Sequence, residues 1–345
     1  MATIKNTPTL DEWKRLHDLM AQVKELAPWD WMEESDIFGI QMPDTKDLGF
    51  ISVMGMLGEH FAMAVYQGAK GLGGFWNIHS QGHHISPEVV LQVPQLQASF
   101  EDREMISKED REVIKKLGRI YRGAKGWPQF RSYRPGCFPW HIEKNEADML
   151  ICALEQLLEI APRFREDPHL FKPTEAEHDY LVRVKNDEKW EDSVKHVTFR
   201  EEKTLDLLMD EETLERLRKM MPGKLMLEID LHMMDKPVQE KPEERPYFPF
   251  MLMLADSDSG MILGVDLLAP LPSLEAMWSE VPAAVVEKLA EGFPPREIQV
   301  KDDMLYILLQ PVAQELSIKL RKQSRLKMID RARRELRNFR GLRGI

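Results

Sequence analysis

Lys224-Leu-Met-Leu-Glu-Ile-Asp-Leu-His-Met-Met234 repeats with a period of two. Leu225, Leu227, Ile229, Leu231 and Met233 fall on one face, and Met226, Glu228, Asp230, His232 and Met234 fall on the other. The first face is that of a core. The second sets two carboxylates and an imidazole in a row, where a central strand ordinarily carries aliphatic side chains. Here the pattern points to chemistry.

Downstream, a polar, proline-rich turn (Pro237 to Pro246) leads into a strand over 247–255, and an Asp-Ser-Asp-Ser-Gly turn leads into another over 261–268. Three successive strands joined by turns pair antiparallel. The pattern then alternates: a helix over 273–292, a short strand over 297–300, a helix over 302–316, a strand over 318–321 and a helix over 324–339. Strands separated by helices are reached by crossovers and lie parallel. The order β-β-β-α-β-α-β-α makes residues 210–345 an α/β domain with a mixed sheet.

Over residues 223–340 that order resembles the ribonuclease H-like fold of nucleases, integrases and transposases. The resemblance implies a carboxylate on the first strand and one just after the fourth, converging with one on a helix to hold two divalent metals. By position Asp230 is the first, Asp302, with Asp303 beside it, is the second, and Asp330 or Glu335 on the last helix is the third. Paired Mg or Mn ions need such oxygen ligands and stabilise the attacking and leaving oxygens of a phosphodiester. Plainer readings stand beside these. Asp302 follows Val300-Lys301 where a helix N-cap belongs, and Asp230 reads equally as a solvated edge residue.

Upstream, Thr9 or Asp11 caps a helix to Leu26 that Pro28 stops, and runs over 37–42, 48–54 and 61–66 form an antiparallel meander. Gly68-Ala-Lys-Gly-Leu-Gly-Gly-Phe-Trp76 reads as turns and lacks the Gly-Lys-Ser/Thr ending of a phosphate loop. His79, His83 and His84 have no ligand spacing that completes a zinc tetrahedron, so a surface loop is expected there. A strand over 96–100, a helix from the Ser107 cap to about Tyr121 and a helix from the Asn145 cap to Ile160 follow. The aromatic and proline-rich Gly126 to Trp140 reads as a rigid lid, with a partner groove made of its rings as the functional alternative and a strand near Phe130 to Tyr133 within it. These elements make 1–165 an N-terminal α+β domain, and their order echoes the later one as a related mixed sheet with flanking helices. Residues 166–209 read as a linker with a hairpin, Tyr180–Val184 and Val194–Phe199.

The blocks Ala27-Pro-Trp-Asp-Trp-Met32, Phe50-Ile-Ser-Val-Met-Gly55, Phe138-Pro-Trp140 and Phe293-Pro-Pro-Arg-Glu-Ile-Gln-Val300 are similar to those of uncharacterised bacterial two-domain proteins known only by domains of unknown function. That likeness covers most of the chain and implies no activity.

Length and composition agree with two domains: 345 residues, 43% hydrophobic and 30% charged. The first residues have no apolar signal region, so a cytoplasmic protein with no membrane partner is expected, and Cys137 and Cys152 read as buried thiols. The net charge of -11 is uneven, because residues 319–345 hold 11 Lys+Arg against 2 Asp+Glu and leave -20 for the rest. The residues favour a non-catalytic interaction or regulatory protein with a protein partner and no cofactor. The first alternative is a metal-dependent phosphodiesterase or nuclease using Asp230, Asp302 and Asp330 with Mg or Mn. The second is nucleic-acid binding without cleavage through Arg331, Arg333, Arg334 and Arg337, which the acidic body opposes at long range. Neither cysteine has a base partner and no Gly-x-Ser-x-Gly elbow is present, so nucleophilic hydrolysis has no support.

Overall fold

A computed structural model describes residues 6–81, 87–199, 205–221, 223–292 and 294–341, and the side chains of these except 87, 88 and 337–341. The chain divides into two compact units, 1–202 and 203–345. Each is built on its own mixed sheet.

In the first unit the strands are β1 (Phe38–Gln41), β2 (Leu48–Met54), β3 (Phe61–Gln67), β4 (Gln95–Glu101), β5 (Trp127–Tyr133), β6 (Asp179–Asn186) and β7 (Lys189–His196). Their order across the sheet is β5-β4-β3-β2-β1-β6-β7, antiparallel throughout except where β6 lies parallel to β1. Helix α1 (Leu10–Leu26) begins at a reciprocal box in which Thr9 Oγ1 accepts from Glu12 N and Glu12 Oε2 accepts from Thr9 N. It packs with the long C-terminal helix of the unit over one face of the sheet, burying Leu16, Leu19, Met20, Leu150, Leu154 and Leu157. Helix α2 (Gly68–Gln81) covers the other face with Leu72 and Phe75. The central strands are thus buried on both sides, which is why Leu48–Met54 reads as an almost unbroken apolar run.

Several expectations are corrected here. Gly68–Trp76 is helix, because the glycines let it approach the strand before it: a Cβ on Gly71 would lie 2.8 Å from Pro94 O and 2.8 Å from the Tyr66 carbonyl carbon. His79 belongs to that helix, and His83 and His84 lie outside the described residues. After the short α3 (Pro87–Val90), α4 (Lys108–Lys116) starts at the Ser107–Asp110 box but stops before Gly118, whose φ of 65° leaves helical space, well short of Tyr121. The strand read near Phe130 to Tyr133 is β5, longer than expected, and it takes half of the expected lid into the sheet's outer edge with alternate residues buried. Helix α5 (Lys144–Glu166) begins after Glu143, whose N–H donates to Glu146 Oε2 at 2.8 Å, and runs on through Pro162.

The hairpin placed in the linker is β6–β7, and it belongs to the first sheet. Its β6 lies beside β1 and parallel to it. The segments at 95–101 and 127–133 instead extend the meander antiparallel at the opposite edge. The echo between the units is therefore confined to three antiparallel strands with a parallel strand beside the first.

The second unit contains α6 (Glu211–Arg218), β8 (Met226–Met233), β9 (Phe250–Asp256), β10 (Ile262–Leu268), α7 (Leu274–Ala290), β11 (Glu297–Val300), α8 (Asp303–Glu315), β12 (Lys319–Lys322) and α9 (Lys327–Gly341). Strand order is β10-β9-β8-β11-β12, with β8, β9 and β10 antiparallel and β11 and β12 parallel to β8. The Asp256 carboxylate accepts from Asp258 N at 3.1 Å and so closes the turn between β9 and β10. One face of the sheet is covered by α6, α7 and α8, which enclose Leu227, Ile229, Leu252, Leu254, Ile298 and Val300. Each such side chain contributes about 1.5–3 kcal/mol on leaving water. The opposite face is covered by α9, with Leu326 and Ile329 seated on Met251, Met253 and Ala255. The chain as a whole is of mixed α/β class. Among the described residues no helix is long and apolar enough to cross a membrane.

Candidate functional site

The polar face of β8 lies beneath α9, and the strand is interior, between β9 and β11. Asp230 is therefore no solvated edge residue: it is 8% exposed, and Glu228 is 4% exposed. Taking two carboxylates out of water is costly unless each is paired and hydrogen-bonded. Glu228 Oε2 accepts from Met328 N at 2.8 Å and Ile329 N at 3.0 Å. It thereby satisfies two orphan amides in the first turn of α9 and places negative charge at the positive end of that helix. One turn on, Arg333 Nη1 donates to Asp230 Oδ2 at 3.2 Å. His232 Nδ1 is also 3.2 Å from Asp230 Oδ2, yet off the line a hydrogen bond needs, so this buried nitrogen has no hydrogen-bond partner.

Cross-strand neighbours complete the layer. Gln299 of β11 is in register with Glu228 and donates from Nε2 to Glu297 Oε1 at 2.9 Å. The buried Glu297 is in turn flanked by Arg321 Nε at 3.4 Å and Lys319 Nζ at 3.9 Å from β12. On the other side β9 presents Met251 and Met253 in register with His232 and Asp230. Polar and apolar halves of the sheet thus meet along β8. Where His232 ends the row, a cleft of about 270 Å³ opens, lined by Met233, Met234, Met251, Lys236, Arg333 and Leu336 among others. It is below the volume of most ligand pockets and has a basic, sulfur-rich wall.

The remaining expected ligands are engaged elsewhere. Asp302 is an exposed N-cap whose Oδ1 accepts from Leu305 N at 2.9 Å. Asp303 pairs with Lys322, Asp330 with Arg325 at 3.3 Å and Glu335 with Arg331 at 2.9 Å. Among the described residues, no three acidic, histidine or cysteine side chains gather as a metal-ligating group. Of the arginines, Arg333 turns inward, Arg331 pairs along its own helix and Arg334 is exposed, while the Arg337 side chain lies outside the described residues.

The sequence reading missed the use of Glu228, because its partners stand 100 and 101 positions away. No local spacing marks such a pairing. Residues 324–327, Ser-Arg-Leu-Lys, hold no acidic side chain, and the acid in the first turn of α9, Asp330, is paired with Arg325.

Residues 13–183 match the family described as Domain of unknown function (DUF7309), and residues 213–337 match the one described as Domain of unknown function (DUF6930). No curated protein matches the chain. The two matches fall one in each compact unit and together agree with a two-domain chain.

Proposed function

We propose that the C-terminal unit is a ribonuclease H-like scaffold put to non-catalytic use, and that the chain is a cytoplasmic interaction or regulatory protein. The strand order β10-β9-β8-β11-β12, with the last two parallel to the first, supports the scaffold. A cytoplasmic setting keeps Cys137 and Cys152 as the buried thiols they are. One observation carries the non-catalytic reading: Arg333 sets a covalently attached positive charge beside Asp230. A divalent cation at that acid would have to displace a guanidinium that the acid needs in order to stay buried.

The test is thermal melting of the full chain with millimolar Mg²⁺ or Mn²⁺, together with cleavage assays on single- and double-stranded nucleic acid. Binding to the folded state raises the midpoint through RT ln(1 + [L]/Kd). No rise and no cleavage are expected. A saturable rise that Asp230→Asn abolishes, accompanied by cleavage, would overturn the reading.

A further inference from the structure

The four outer strands of the two sheets differ in what they present to solvent. β12 reads Lys319-Leu-Arg-Lys322, so two copies brought together along it would set cation against cation. β7 carries Lys189, Glu191, Asp192, Lys195 and His196. β5 carries Pro128, which has no N–H to give, and Arg131. These are devices that keep an edge from pairing. β10, Ile-Leu-Gly-Val-Asp-Leu-Leu, has a single charged residue, Asp266, and Lys288 of α7 lies 3.4 Å from it. A bulge between Ile262 and Gly264 is its one irregularity, and Gly264–Leu268 pairs regularly with β9.

The exposed side chains of this strand are apolar. Val265 and Leu267 are in register with Met253 and Met251, on the α9 side of the sheet, yet remain 44% and 62% exposed. Ile262 at 40% and Met261 at 61% extend the stripe. Unguarded apolar edges are templates for strand addition.

We propose that β10 pairs antiparallel with β10 of a second copy of the chain, joining two C-terminal sheets across a twofold axis. This rests on the proposed function and deepens it by naming the surface and the partner. Self-pairing fits because the strand is complementary to itself. With the axis at Val265, that residue meets its own counterpart and Asp266 falls opposite Gly264 rather than another carboxylate. Leu267 is carried toward the Ile262 end of the other strand, so apolar groups cover each other on both sides of the axis. Charge offers little opposition, since residues 203–345 hold 22 Lys+Arg against 24 Asp+Glu.

Sedimentation of the full chain across micromolar concentrations tests this. A concentration-dependent dimer is expected. Leu267→Lys should weaken it at least about tenfold, by placing a charge twice in an apolar ladder. Leu267 is largely exposed, so an unchanged circular dichroism spectrum and melting midpoint will show that the fold is retained. Ile307→Lys, at an exposed apolar position on α8, should leave the dimer intact. Mild oxidation of the Val265→Cys variant should give a covalent dimer. The Leu267→Cys variant should not, because in this register its sulfurs stand about 13 Å apart along the strands.

A monomer at every concentration, a dimer indifferent to Leu267→Lys, or capture of a foreign strand by a monomeric chain would each overturn the proposal. The metal melts separate the two readings: a metal-silent monomer removes this inference alone, whereas a metal-dependent rise removes the non-catalytic reading beneath it.

Discussion

Glu228 and Asp230 sit two positions apart on one strand and hold α9 by different means, one through backbone amides and the other through a guanidinium. Glu228→Ala should cost about 2–3 kcal/mol in denaturant unfolding, since two buried N–H groups lose their acceptor, and Glu228→Gln about 1 kcal/mol, since an amide oxygen still accepts. In the other unit, His17 receives a contact from the Tyr121 hydroxyl at 2.8 Å. Burial first, and the nearby Arg119 second, push its pKa down to about 4. A histidine lowered in this way favours the folded state in its neutral form. Its contribution is complete above the unfolded pKa near 6.5 and is lost as pH falls from there toward 4. Urea unfolding should show a decline on the order of 3 kcal/mol across that window, flattened in His17→Gln. The oddity of Asp230 could be read in the sequence, because acidic side chains on the second face of a central strand, where aliphatic ones belong, break pattern. Its partner could not, because Arg333 is 103 positions away.

Among the elements, the positions of the strands were the most readable, and helix α2 the least. Periodicity placed β2, β11 and the flanks of β8 closely, since side-chain alternation records which faces are covered. Four glycines in Gly68–Gly74 hid a helix, because their propensity argues for turns and only tertiary approach explains them. Gly71→Ala would gain about 1 kcal/mol of helix propensity in isolation. Its new methyl would press on main-chain atoms of Pro94 and Tyr66 that cannot swing aside. A net loss of about 1–3 kcal/mol in thermal unfolding is expected, and a stabilised variant would show that α2 can withdraw from β3 at little cost. Helix α9 was readable as amphipathic, and Leu326 and Ile329 do face the sheet, but nothing local showed that its opening turn depends on a strand for its cap.

For the whole chain, the division of charge explains more than its total. The basic end meets its own acids: Arg333 at Asp230, Arg321 at Glu297, Lys322 at Asp303 and Arg325 at Asp330. The solvent-exposed pairs, Lys322–Asp303 and Arg325–Asp330, contribute little to stability, but all four leave fewer cations for phosphate. No retardation of nucleic acid is therefore expected at low salt in a gel-shift assay, and a shift lost on charge reversal at Arg331 and Arg334 would return the nucleic-acid reading to favour. That the first sheet extends its meander, whereas the second switches to crossovers, could not be read from strand patterns alone, because alternation is blind to the neighbour a strand will choose. What joins fold to function is the clasp between β8 and α9. A double-mutant cycle on Asp230→Asn and Arg333→Met, followed through unfolding of the full chain, measures it most directly. The expected coupling is about 1–3 kcal/mol, whereas single losses that add within about 0.5 kcal/mol would contradict a structural role for the acid.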